Sequence, residues 1–180
     1  MRLLLTLALL AGPALAADCP PAPDHGDRLA GLIAAAQAAG SEGEGRQITN
    51  QMWQLWTDAP DSYAQELLDE GMDRRASYDF AGAIKALDAL VAYCPDYAEG
   101  YNQRAFVAFL RQDYPAALQD LERTLALSPD HVAALSGKAL TLMGLGRMDE
   151  GQLVLRQALA LNPWLPERGL LLREPAGDDI

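Results

Sequence analysis

The chain has 180 residues, of which 50% are hydrophobic, 22% charged and 7% aromatic, and its 25 acidic side chains against 14 basic ones give a net charge of −11. That length and apolar content suit one domain with a real core and exclude a disordered chain. The acidity argues against nucleic acid as a partner, and no apolar run approaches the ~20 residues of a membrane span. With two Cys and two His, no metal site, cofactor or disulfide-dense scaffold is expected.

The chain opens with Arg2, an apolar stretch from Leu3 to Ala11, a break at Gly12-Pro13 and the small-residue pattern Ala14-Leu15-Ala16. This reads as a secretory signal, residues 1–16, cut after Ala16. Loss of Arg2 makes the mature chain one unit more acidic. Asp18 directly before Cys19 speaks against a lipid anchor, so the expected location is periplasmic or extracellular. Oxidation is possible there, and Cys19 and Cys94 form a candidate disulfide tethering a Pro-rich arm, residues 17–28, to the body. Such a loop would contribute roughly 4 kcal/mol by chain entropy. Two free thiols or an intermolecular bridge are the alternatives.

Arg28 to Ala38 is helical in composition. A glycine-rich stretch, Gly40 to Gly45, reads as a loop, and a second helix through Ile48, Met52, Leu55 and Trp56 stops before Pro60.

Beyond it the chain repeats. Pro95, Pro129 and Pro163 lie 34 residues apart, and the same spacing superposes Leu67, Tyr101 and Leu135; Gly71, Ala105 and Ala139; Ala83, Ala117 and Gly151; and Leu87, Leu121 and Leu155. Small residues at two registers let antiparallel helices approach closely, larger ones fill the space between them, and proline closes each second helix. Asp96 and Asp130, beside two of the prolines, are expected to cap the helices that follow. Gly151, where alanine would be usual, should slightly loosen its unit.

At these residues the chain resembles the tetratricopeptide repeat family, whose 34-residue unit has small residues at positions 8 and 20 and proline at 32. The resemblance implies an all-α, right-handed α-solenoid of helix-turn-helix units at 64–97, 98–131 and 132–165. Two upstream helices, at 29–62, look like a degenerate fourth unit. Residues 166–180 would supply a short capping helix, with Leu170 to Leu172 over the last open face, and an acidic tail. Register 7 carries Glu70, Arg104 and Lys138 where the family is usually apolar, which suggests an exposed ladder with Glu70 paired to Arg104 or Arg74.

No enzyme signature is present. His25 lies in the arm and His131 in an inter-repeat turn facing solvent; neither sits beside a nucleophile, and the glycines between 40 and 45 lack a phosphate-loop Lys-Ser or Lys-Thr. In a stack of helix pairs the first helix of each unit lines the concave side. The expected groove is therefore Leu68, Met72 and Arg75 in the first unit, Asn102, Phe106, Phe109 and Leu110 in the second, and Leu140 and Met143 in the third. One family subclass grips chaperone carboxyl termini through Lys, Asn and Arg at groove registers. Here Leu68, Met72, Gln103, Ala133 and Gly137 stand there, which excludes that ligand. The expected role is a non-enzymatic adaptor or scaffold of the bacterial cell envelope, binding an extended or helical protein segment with apolar side chains and some positive charge. The alternative is a structural module whose groove is filled by its own N-terminal helices or by a second copy in a homodimer.

Overall fold

The computed structural model describes residues 18–172; the signal-like segment and the acidic tail lie outside them. Within these residues, eight α-helices form four antiparallel pairs: α1 (Gly26–Ala38) with α2 (Glu42–Trp56), α3 (Ser62–Ala76) with α4 (Phe80–Tyr93), α5 (Ala98–Leu110) with α6 (Tyr114–Leu127), and α7 (Val132–Gly144) with α8 (Met148–Leu161). A short 3₁₀ segment, Pro166–Leu170, follows.

The last three pairs are the 34-residue units, each built by the same local chemistry. Asp79 and Asp113 cap α4 and α6 by accepting the amides of Gly82 (3.0 Å) and Ala116 (3.4 Å). The first helix of each unit ends with a left-handed residue at one repeat position, Tyr78 (φ 62°), Gln112 (φ 61°) and Gly146 (φ 77°). There the amides of Asp79, Asp113 and Arg147 reach back to the carbonyls of Arg74, Ala108 and Leu142, tying off each helix end. The small registers are fully used. A Cβ added at Gly71 would lie 2.7 Å from Leu87, and one at Gly151 would lie 2.7 Å from Met143 and 2.9 Å from the Ala139 carbonyl. Gly151 therefore corrects the expectation of looseness, since α7 and α8 approach too closely there for alanine.

The expected helix caps beside the prolines are also corrected. Asp96 and Asp130 do not cap α5 and α7, because the turn after proline runs one residue further. Tyr97 precedes α5 without a side-chain cap, and His131 caps α7, its Nδ1 accepting the Ala134 amide at 3.2 Å. Of the two pairings open to Glu70 at register 7, the structure has the one with Arg74 and not the one across units with Arg104. Glu70 pairs with Arg74 (2.8 Å), Lys138 with Glu122 (3.4 Å), and Arg104 with Asp120 through two bonds of 2.7 and 2.8 Å and with Asp88 at 2.7 Å. Asp120 is buried and holds the Arg104 guanidinium well above its ordinary pKa. Replacing Arg104 with Met strands that carboxylate. The pair is partly open to water, so the expected loss is about 2 kcal/mol in urea unfolding, with recovery when Asp120→Leu is added.

Exposed caps add a pH dependence. The Ala64 amide and then the Tyr93 hydroxyl lower the pKa of Asp61, and the Gly82 amide and then Arg74 lower that of Asp79. A carboxylate whose folded pKa is depressed stabilises the fold above its unfolded value and loses that contribution as pH falls. The urea midpoint is therefore expected to decline as pH drops below about 4. Asp79→Asn, which still caps the helix but carries no charge, should make that decline shallower.

The first pair departs from the repeat plan. Gly40 to Gly45 is largely helix rather than loop. Ser41 Oγ accepts the Glu44 amide (3.3 Å) and the Glu44 carboxylate accepts the Gly40 amide (2.9 Å), a reciprocal arrangement close to a capping box. Nor does the pair share its core with α3 as a fourth stacked unit would. Ile33, Ala36, Ile48, Met52 and Trp56 pack with Val132, Leu135, Ala158 and Leu165 of the last unit. Trp164 lies over Gly45, where a Cβ would stand 2.2 Å from the indole, and its Nε1 donates to the Ala36 carbonyl at 2.9 Å. The fully buried Asn162 donates to Thr49 Oγ1 (2.8 Å), Gln37 to the Ala160 carbonyl (2.8 Å), and Arg168 pairs with Glu42 (2.9 Å). The hairpin is thus clasped to the C-terminal end of the repeats.

That clasp also corrects the expected cap. Trp164 and the buried Leu165 cover the last unit, whereas Leu170, Leu171 and Leu172 remain 49%, 39% and 56% exposed. Gln152 holds this stretch by its backbone, donating to the Leu170 carbonyl (2.9 Å) and accepting the Leu172 amide (2.8 Å). At the other end of the chain, Cys19 is disulfide-bonded to Cys94 at the end of α4, with a Cα–Cα distance of 5.2 Å.

Candidate functional site

The first helices of the second and third units, α5 and α7, present their inner faces to α2. At the entry to both helices lies a buried polar cluster. Glu99 and His131, each 1% exposed, are joined at 2.9 Å between Oε2 and Nε2. Because His131 Nδ1 accepts the Ala134 amide, the ring proton is on Nε2 and points at the carboxylate. The amides of Gln103 (2.5 Å) and Asn102 (3.1 and 3.2 Å) donate to the same carboxylate, so its oxygens are satisfied without water. Trp56 closes this cluster by stacking on the His131 ring, with centroids 4.1 Å apart and planes 15° from parallel. Tyr97 fixes the end of α2, its hydroxyl donating to the Trp56 carbonyl at 2.6 Å, and burial raises its pKa so that the donor stays protonated.

His131 is therefore not the solvent-facing turn residue expected. It is a core residue, and neither Glu99 nor His131 faces a nucleophile. His25 is likewise engaged, 2.8 Å from Asp58.

Beside the polar cluster, α2, α5, α7 and the turn after α8 enclose a cavity of about 320 Å³. Of the expected groove residues, Asn102, Phe106, Phe109 and Leu140 line it together, with Trp53 and Trp56 supplied by α2. Arg75 reaches the same place from α3. Its guanidinium stands 4.7 Å over the Phe106 ring and donates to Gln103, while burial pulls its pKa down against the opposing pull of Glu99. Phe106 remains 44% exposed.

The other groove candidates lie elsewhere. Leu68 is fully buried in the core between α3 and α4, and Met72 packs against that core, because the inner face of α3 is turned into the first unit's own interior. Met143 faces α8 across Gly151, and Leu110 is 41% exposed at the end of α5, outside the cavity. Sequence reasoning missed Trp53, His131 and Thr141 as participants. The available signal was Trp53 and Trp56 one turn apart, too bulky for the small registers of a repeat.

Among the described residues, no group of three or more His, Cys, Asp or Glu is arranged to hold a metal ion, and no helix is long and apolar enough to cross a membrane.

Two tetratricopeptide repeat family models match residues 68–132 and 108–167, together more than half of the chain and all three 34-residue units almost in full. The chain belongs to the tetratricopeptide repeat family. A TPR repeat-containing protein of Rhizobium etli is 31% identical over 102 residues, covering 55% of this chain and 48% of that one. Tetratricopeptide repeat protein 36 of Xenopus tropicalis is 32% identical over 118 residues, covering 62% of this chain and 57% of its own length. The chain thus spans about half the length of the curated relatives it matches. Among solved structures, the TPR2B-domain:pHsp70 complex of yeast Sti1 superposes with a TM-score of 0.57 at 21% identity, covering 62% of this chain and 91% of that one. At that identity the likeness is one of fold.

Proposed function

We propose that the chain is a non-enzymatic interaction module of the bacterial cell envelope that binds a segment of another protein on the part of its concave face left open by α2. The observation carrying this reading is Phe106, an aromatic side chain 44% exposed, held in place by the Arg75 guanidinium and rimmed by the exposed Leu110. Large aromatic side chains fixed at the centre of a concave surface are the type that carries binding energy at protein interfaces. The Sti1 domain, solved in complex with pHsp70, supports the binding of another protein as a use of this fold. Leu68 and Met72, turned into the core, supply no cationic grip for a terminal carboxylate, so the ligand is an internal, apolar segment. The Cys19–Cys94 disulfide and the leader-like residues 1–16 support an oxidising compartment outside the cytoplasm.

Half of the alternative reading has a specific observation in its favour: the chain's own Trp53 and Trp56 occupy part of the groove. Photocrosslinking in cells from a benzoylphenylalanine at position 110 separates the possibilities. A defined partner lost on Phe106→Asp supports the proposal, and a partner captured equally by that variant overturns the groove. Crosslinks to second copies of the chain alone would establish the self-associating module instead.

A further inference from the structure

Arg75 is a half-buried cation to which the fold gives no direct counter-ion. In a chain with 25 acidic side chains against 14 basic ones, Arg46, Arg74, Arg104, Arg123, Arg147 and Arg168 each stand within 3.3 Å of a carboxylate oxygen. No carboxylate among the described residues forms an ion pair with Arg75. Its guanidinium lies 4.7 Å over the Phe106 ring, and Nη1 donates to the neutral amide oxygen of Gln103. A guanidinium carries five N–H donors in a planar fork, and most of this one is not used within the described chain.

Glu99 attracts Arg75 without neutralising it. Its carboxylate is occupied by its own cluster: Oε1 accepts from Gln103 (2.5 Å) and Asn102 (3.2 Å), and Oε2 from Asn102 (3.1 Å) and His131 (2.9 Å). The Gln103 amide bridges it to the guanidinium, and burial outweighs its pull, lowering the Arg75 pKa. Glu167, the carboxylate on the cavity wall, comes from the turn after α8 and is not paired with Arg75. A partly buried charge without a direct partner gains most from a ligand that brings the opposite sign. Phe106 is 44% exposed, so whatever docks on its ring lies beside that charge.

Resting on the reading of the groove given above, we propose that the partner segment bound over Phe106 carries an aspartate or glutamate whose side-chain carboxylate is received by the Arg75 guanidinium, next to the apolar side chain that packs on the ring. Two parallel N–H···O bonds match a carboxylate to the fork, whereas a lysine would be repelled and a neutral amide would leave the charge uncompensated. The acid stands two residues from the apolar side chain in an extended segment, or three to four in a helix, the spacings that put both on one face. This selectivity runs against the net charge of −11, which at long range favours basic partners, so bulk electrostatics does not produce it.

The test selects ligands for the oxidised mature chain from random peptides displayed on phage without a free carboxyl terminus. A selected peptide that no longer binds Phe106→Ala is then synthesised beside a copy whose acidic residue is replaced by its amide, and both are titrated by fluorescence anisotropy. Phe106-dependent binders are expected to carry an acid at the stated spacing from a bulky apolar residue. The parent should prefer the acidic peptide by about tenfold or more, the size of a charge-assisted hydrogen bond. In Arg75→Gln the preference should fall to within about twofold, and in Arg75→Lys, which keeps the charge without the fork, it should be intermediate. Phe106-dependent binders lacking an acid, equal affinity of the parent for acid and amide, or a preference that persists in folded Arg75→Gln would each overturn the inference while leaving the groove a partner site. Should Arg75→Gln bind neither peptide, Arg75→Lys decides, a retained preference supporting the inference and its absence overturning it. A library that yields no Phe106-dependent binder would overturn the groove and this inference together.

Discussion

Replacing Trp56 with alanine is expected to lower stability by about 3–5 kcal/mol, the range for removing a buried aromatic side chain. Trp56 is 8% exposed and joins three things at once: the hairpin core with Val132 and Leu135, the stack on His131, and the wall of the cavity. Its removal leaves the His131–Glu99 pair open to water on one side and takes away the ring that orders α2 against α7. The expected signature is a lower urea midpoint together with early proteolysis within α1 and α2, before the repeats are cut. Trp56→Phe, which keeps a ring over His131, should lose substantially less. A Trp56→Ala protein within 1 kcal/mol of the parent would show that the hairpin is held by its contacts with Trp164 and Asn162 alone.

Removing the disulfide, by Cys19→Ser with Cys94→Ser, is expected to cost about 4 kcal/mol by the loop-closure estimate for the 75 residues separating the cysteines. The closed loop contains the whole hairpin and the first repeat, so the loss falls on the elements with the longest route to their packing partners. Denaturant titration of the oxidised and serine forms measures the difference, and mass spectrometry without reductant establishes that the parent carries the bridge. A difference under 1 kcal/mol would mean that the arm is already constrained without it, through such contacts as His25 with Asp58.

The three repeats were legible in the sequence because everything that builds them is local and recurs. Gly71 faces Leu87 and Ala105 packs with Leu121, each within a single unit, and Ala139 and Leu155 recur at the same spacing, so one packing problem is posed three times. The hairpin was legible as two helices but not in its placement. Its partners, Val132, Leu135, Ala158 and Leu165, lie some hundred residues downstream, and no periodicity links Trp56 to His131. The same distance explains His131, which is an ordinary turn residue until α2 folds over it. It explains the site as well: Phe106, Phe109 and Leu140 follow from the helical face of a repeat, whereas the aromatic wall opposite them comes from outside the repeats. The Ser41–Glu44 cap was a signal within reach, obscured by the glycines around it.

The clasp between Trp164 and Gly45 changes what kind of object the solenoid is. An array whose units touch only their neighbours can fray from either end, and its stability approximates a sum over units and interfaces. Here the segment before the first unit is locked to the segment after the last, so the last unit is covered and the chain closes on itself. Loss of the final turn should unsettle the opening hairpin as directly as it does α8. A chain assembled mostly from short-range contacts therefore carries one long-range closure, which raises its contact order and is expected to slow its folding relative to an open array.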